Sequence, residues 1–375
     1  MSPPLRRLLI ASALIAAVIG LEVGFESIVP DAAWRQLALF AMVNVVVALS
    51  LNVINGLAGQ FSIGHAGFVG IGAYTGAIVA GNVHVWIGGG SEALFKNSFL
   101  VMPPALIAAG LVAGLFGLLV GLPSLRLKGD YLAIVTLGFA EIFRLVIATA
   151  QTGGAAKSGV AGALARLGGQ NGYAGPLDNG VPQYAGPFWI FGTVVVCATL
   201  AWRLKFSGWG RALRALREDE IASAAVGVDP TRYKVTSFVI AAAGAGLAGA
   251  LLSSLRDGNP TVQPDQFGFT YSFDAITMVI LGGSGSVTGA VVGGVFVTFT
   301  IKMIEQLQGQ ESVKALHTAI PGLDLNALRM VIYAAVLISL MILRPEGLFG
   351  EKEIFRSARR ARAKALPKAG AEGAG

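Results

Sequence analysis

Long apolar runs, separated by short glycine-rich, polar or basic segments, set the pattern of this chain. The runs fall at about 8–28, 34–54, 66–81, 100–122, 131–150, 187–203, 234–255, 272–281, 287–304 and 326–343. Most have the roughly 17 to 25 residues that a helix needs to cross the hydrocarbon of a bilayer. The pattern therefore predicts an all-α, polytopic membrane protein of about ten transmembrane helices. Two places interrupt it. The tract GLAGQFSIGHAGFVGIGAY, residues 56–74, sets Gln60, Ser62 and His65 among glycines directly after the second run. The run 272–281 is too short to cross alone and leads into GGSGSVTGAVVGG, residues 282–294, which carries Ser284 and Ser286. Irregular backbone at membrane depth is tolerated only where protein or a water-filled cavity satisfies its polar groups, and broken helices of this kind mark solute sites in transporters. Setting Gly59 against Gly283 also aligns Ser62 with Ser286, Ala66 with Ala290 and Gly70 with Gly294. Small residues match readily by chance, and chance is preferred to duplication here. Gly72 and Gly76, at i, i+4 spacing, also permit close helix packing without any solute.

Composition agrees with the pattern. Hydrophobic residues make up 54% of the 375 and charged residues 13%, which excludes an ordinary soluble domain. The net charge of +7 does not indicate nucleic acid, because the basic residues cluster between apolar runs and in the tail. Arg6 and Arg7 precede the first run, which reads as a retained helix with the N-terminus inside. Alternation then places Arg126, Lys128, the block 203–233 and the tail 351–375 in the cytoplasm, and the Gly/Pro-rich segment 151–186 outside. Residues 1–350 are expected to form one transmembrane domain and 351–375 a basic cytoplasmic tail. The single Cys197 lies in an apolar run and excludes a disulfide within the chain.

Chemistry-bearing residues are few. Glu141 and Arg144 lie three apart within the span 131–150, on one helical face. At membrane depth such charges must pair or face water, so they form either a polar lining for a zwitterionic solute or a mutually neutralising structural pair, the latter preferred. In the block 203–233, residues 219–226 favour a short helix, acidic at its start and followed by Gly227, Asp229 and Pro230. No catalytic constellation is present: His65, His84 and His317 lack ligand spacing, and neither GxSxG nor HExxH occurs. GGAAKS at 153–158 lacks the glycine before Lys157 that a phosphate loop requires. No cofactor or metal is expected on this chain.

Several motifs in fixed order carry a resemblance: residues 56–74, KGDYLAIVTLGFAEIFRLV at 128–146, RALRALREDEIASAAVGVDPTRYKVTSFVIAAAGAGLAGAL at 211–251, MVILGGSGSVTGAVVGG at 278–294 and LRPEGLFG at 343–350. Together they resemble the LivM-type permeases of bacterial branched-chain amino acid ABC transporters, over nearly the whole chain. The resemblance implies a non-enzymatic subunit in the bacterial cytoplasmic membrane, surrounded by lipid. It implies pairing with a second related permease, two cytoplasmic ATPases that supply ATP and Mg chemistry, and an extracytoplasmic amino-acid-binding protein. It further implies a coupling helix near 218–227, through Glu218, Asp219, Glu220, Ala224, Ala225 and Gly227. Gln60, Ser62, His65, Glu141, Arg144, Ser284 and Ser286 are the candidate solute-path residues. Many relatives carry a compact Gly-Gly-Pro-Asn-Gly segment, whereas this chain has GGQNG at 168–172, displaced by an insertion near 153–167. Permeases for urea and short amides are similar, and a self-contained ion-coupled transporter is the rival from another class; co-purifying ATPases would separate them.

Overall fold

The computed structural model describes residues 24–88, 94–124, 130–150, 166–176, 180–308, 347–350 and Glu353, with isolated positions elsewhere. In order along the chain lie α1 (Ala32–Asn52), ended by a π turn at Val53–Leu57, then α2 (His65–Trp86), α3 (Leu94–Ser124) and α4 (Asp130–Ala148). A 3-10 turn at Gly169–Asn171 precedes α5 (Pro187–Phe206), α6 (Gly208–Glu218), α7 (Glu220–Ala225) and α8 (Pro230–Ser253). A second 3-10 turn, Pro264–Phe267, leads into α9 (Phe269–Gly282) and α10 (Val287–Gln308). Among the described residues six helices are long and apolar enough to cross a membrane: α1 with its π turn, α2, α3, α4, α5 and α8. The chain is thus an all-α, multi-pass membrane protein. The expected runs 8–28 and 326–343, the motif at 153–158 and most of the insertion near 153–167 lie largely outside the described residues.

Helix ends exceed the apolar runs where polar groups find local partners. The run expected at 66–81 continues to Trp86 because Asn82 donates to the Ile78 carbonyl at 2.8 Å and His84 Nδ1 meets the Tyr184 hydroxyl at 2.7 Å. Helix α3 starts near residue 94 rather than 100, where the Ser98 hydroxyl accepts from the Trp189 indole at 2.9 Å. Asp31, Asp219 and Asp229 cap α1, α7 and α8 through side-chain bonds to backbone amides.

Packing without a hydrophobic drive depends on close backbone approach, and α8 achieves it with small residues. A Cβ on Gly72 would lie 2.3 Å from the Gly246 carbonyl oxygen, and one on Gly249 would lie 2.0 Å from that of Val69. Helix α8 thereby packs against α1, α2 and α3. Helix α1 is central, with 83% of its apolar stretch buried against 17% for α5. One end of the bundle carries α6, α7, Gly56, Gly285 and Glu353 and is the basic end. At the opposite end the loop after Gly169–Asn171 pairs with the segment after α8, through bridges Tyr173 to Val262 and Ala185 to Leu255.

Candidate functional site

The two glycine-rich tracts meet at the basic end. Asn52, in the last turn of α1, accepts from the Gly285 amide at 2.8 Å and donates to the Ser286 carbonyl at 3.1 Å. Gly56 lies against the same backbone: a Cβ there would be 2.3 Å from the Gly285 nitrogen. The α9–α10 break needs Gly283 at φ 116° and Gly285 at φ 84°, conformations that favour glycine. The Ser286 hydroxyl accepts from the Gly289 amide at 3.0 Å and so caps α10, whereas Ser284 is exposed. Of the two serines, only Ser286 is buried in the junction.

Residues 58–64 are non-helical and run back into the bundle, where the Ile63 amide donates to the Thr136 hydroxyl of α4 at 3.2 Å. His65 starts α2, fully buried, with Nε2 2.8 Å from the Ser50 hydroxyl. That hydroxyl donates its single proton to the Val47 carbonyl at 2.8 Å, so Nε2 carries the proton of the imidazole and Nδ1 is left as an acceptor. Among the described residues, Nδ1 of His65, the Ser62 hydroxyl, both amide atoms of Gln60 and Nδ2 of Asn55 are buried without partners. Buried polar atoms almost always find a partner in protein or ordered water. Such a group of orphans along an irregular segment fits a hydrated lining far better than a dry core.

Glu141 and Arg144 are joined to each other but not to this group. Arg144 binds Glu141 through Nε at 3.0 Å and Nη2 at 2.5 Å, and reaches Asp265 of the second 3-10 turn through Nη1 at 2.7 Å. Among the described residues no hydrogen bond or ion pair ties Glu141 or Arg144 to Gln60, Ser62 or His65. The Glu141 and Asp265 side chains are 39% and 63% exposed, so the trio is an exposed strap between α4 and the 3-10 turn.

Helix α7 is one residue shorter at each end than the expected 219–226, because Asp219 serves as its cap and Val226 already leaves the helical region. Ala224 and Ala225 are exposed, and the apolar side chains of Ile221 and Val226 stand out at 84% and 81% exposure. Glu218 is loosely paired with Arg217 at 3.5 Å, Glu220 binds Lys234 at 2.6 Å, and Gly227 turns the chain at φ 90°.

Sequence reasoning missed four features. Helix α6, hidden in a run of arginines, buries Gly210, Leu213 and Leu216 and lays Arg217 over the junction: its Nη1 donates to the Gly56 carbonyl at 2.8 Å while its stem covers Gly59. The three-residue spacing of Gly210, Leu213 and Leu216, which puts them on one helical face, was the available signal. Residues 347–350 lie against the α9–α10 break: the Leu348 and Phe349 amides donate to the carbonyls of Leu281 and Gly282, at 2.9 and 3.2 Å. Glu353, amid a basic tail, accepts from the amides of Val287 and Thr288 and from Lys205 Nζ at 2.6 Å. Burial pushes the Glu353 carboxyl up, but Lys205, the Thr288 hydroxyl and the two amides more than reverse this and hold it below the usual carboxylate range. Finally, Asp274 and Lys302 sit within the runs 272–281 and 287–304, where charges alone could have marked them.

A multi-pass bundle with two interrupted helices, carrying a short exposed helix at one end, fits a membrane permease component. A family model described as "Branched-chain amino acid transport system / permease component" matches residues 34–341, and the chain belongs to that family. It is 33% identical to the high-affinity branched-chain amino acid transport system permease protein LivM of Salmonella typhimurium, over 84% of this chain and 69% of the relative. It is 29% identical to the probable LivM of Methanocaldococcus jannaschii, over 82% and 91%. The permease protein LivH of Salmonella typhimurium is 30% identical over 44% of this chain and 47% of its own. No solved structure matches.

Proposed function

We propose that this chain is one permease subunit of an ATP-driven importer of the branched-chain amino acids leucine, isoleucine and valine, in the bacterial cytoplasmic membrane. The reading rests chiefly on one observation: α7 presents Ile221 and Val226 to the outside while its neighbour α6 holds the helix break through Arg217. Of two cytoplasmic ATPases, which carry ATP and Mg, one docks on α7; a second related permease completes the path, and an extracytoplasmic binding protein delivers solute. Closure of the ATPases moves α7, and Arg217 transmits that movement to the junction of Gly56 and Gly285. Likeness over most of the length to permeases named LivM, and over part of it to LivH, supports both the substrate and the second permease.

The test is ATP hydrolysis by the natively assembled complex in lipid nanodiscs with its binding protein, titrated with leucine and, separately, with urea. Stimulation by leucine alone is the expected result. Stimulation by urea alone would move the protein to the amide branch, and absence of any ATPase from the purified assembly would turn the reading towards an ion-coupled transporter.

A further inference from the structure

Helix α5 carries an exposed face that ends in a positive charge. Val196, Leu200 and Arg203 stand at i, i+4 and i+7 and so lie on one side of the helix. Val196 and Leu200 are 54% and 60% exposed, and Arg203 is exposed at the basic end, one turn before α5 stops at Phe206. Because so little of the apolar stretch of α5 is buried, this face is open to the surrounding bilayer. Aromatic rings gather at its foot, as they do at a membrane surface. Trp202 and Phe206 meet edge to face with centroids 5.0 Å apart, and Trp209 packs on Tyr233 at 4.4 Å.

Two further arginines reach the same place from α6. Arg211 Nη1 donates to the Phe206 carbonyl at 3.5 Å, and Arg214 Nη2 and Nε donate to the carbonyls of Lys205 and Gly210 at 3.4 and 3.3 Å. Both guanidinium groups are thereby held at the end of α5, within a turn of Arg203. These bonds leave further N–H donors on each guanidinium, and a neutral carbonyl does not cancel a charge. Among the described residues no carboxylate pairs with Arg203, Arg211 or Arg214, while neighbouring Lys205 is neutralised by Glu353.

Arginines that only set orientation need merely lie near the membrane. Here two are fixed in place by backbone carbonyls, and the third continues a bilayer-facing apolar stripe. A phospholipid has hydrocarbon and phosphate in that same order, and basic clusters at a bilayer surface attract anionic headgroups. An acidic protein surface would engage the arginines but leave the stripe unexplained. We infer that the end of α5 and the start of α6 form a site for an anionic phospholipid, its phosphate held by Arg203, Arg211 and Arg214 and its acyl chains lying along Leu200 and Val196. Helix α6 also places Arg217 on the Gly56 carbonyl, so lipid bound at its first turns anchors the helix that reaches the junction.

The test takes the complete complex, solubilised and stripped of lipid, and titrates it with phosphatidylglycerol or phosphatidylcholine while native mass spectrometry counts the bound lipid. The wild type is expected to bind phosphatidylglycerol more tightly. Arg203→Gln should weaken that binding about fivefold, and Arg203→Gln combined with Arg211→Gln and Arg214→Gln about a hundredfold, with little change for phosphatidylcholine. Arg166→Gln, exposed beside the Gly169–Asn171 turn at the opposite end, serves as the control and should leave both unchanged. If the triple variant fails to assemble through loss of its carbonyl bonds, Arg203→Gln decides, because that side chain makes no hydrogen bond or ion pair among the described residues. Unchanged phosphatidylglycerol binding by Arg203→Gln overturns the site, as does a wild type that binds the two lipids equally. Loss of ATPase co-purification with phosphatidylglycerol binding intact would give the arginines to a protein partner and overturn it as well.

Discussion

Lys205 and Glu353 face each other with side chains only 4% and 1% exposed, and the carboxylate also caps α10. Removing one member of such a pair leaves a buried charge without its counter-ion, a cost of about 3–5 kcal/mol. Lys205→Met is therefore expected to lower the melting temperature of the purified protein sharply. Lys205→Met combined with Glu353→Gln should cost less than the two changes summed, as read from intrinsic fluorescence on heating. Acid provides a second check. The Glu353 carboxyl titrates below its ordinary value of 4.5 when folded. Its contribution to stability is complete above the unfolded value and is lost as pH falls through the folded one. Below about pH 4.5 the wild-type melting temperature should fall more steeply than that of Glu353→Gln.

At the scale of elements, α7 was legible and α6 was not. Helix α7 announces itself through Asp219 at its start and Gly227 beyond its end, both local signals with local causes. Helix α6 alternates arginines with leucines so that charge masks its period, although Leu213 packs against Leu57 and Ala58. Gly227 has open space around it but φ 90°, so a side chain there strains the backbone rather than colliding. Gly227→Val, or deletion of 218–227, is expected to weaken ATPase co-purification or uncouple hydrolysis from uptake; normal coupled transport by either would remove α7 from that role. The strap of Glu141, Arg144 and Asp265 has the opposite character. Joint replacement by Glu141→Leu and Arg144→Met removes both charges of the pair at once, leaving neither in the span without its partner, so assembly and uptake are expected to remain largely intact. Loss of uptake in an assembled double variant would instead place the pair on the solute path.

At the scale of the molecule, six of the roughly ten expected crossings appear as long apolar helices among the described residues, and the two interruptions were legible in the sequence, but not their meeting. Period and run length are properties of neighbouring residues, so the helices of an apolar bundle can be read directly. The bond from Asn52 to Gly285 joins residues 233 apart, and nothing in either tract names the other.

Residues 347–350 and Glu353 also bear on how the protein is made. The broken ends of α9 and α10 receive partners from residues as much as 66 positions further along the chain. During synthesis those helix ends enter the bilayer well before Leu348 and Glu353 leave the ribosome, and an unpartnered backbone group in lipid costs several kcal/mol. The nascent chain thus passes through an interval in which its most interrupted helix pair is complete in sequence and incomplete in bonding, the interval in which an insertase or a quality-control protease would act. A chain stopped after residue 346 should be inserted and then degraded. One stopped after residue 356 should accumulate normally, as pulse-chase labelling in cells would show.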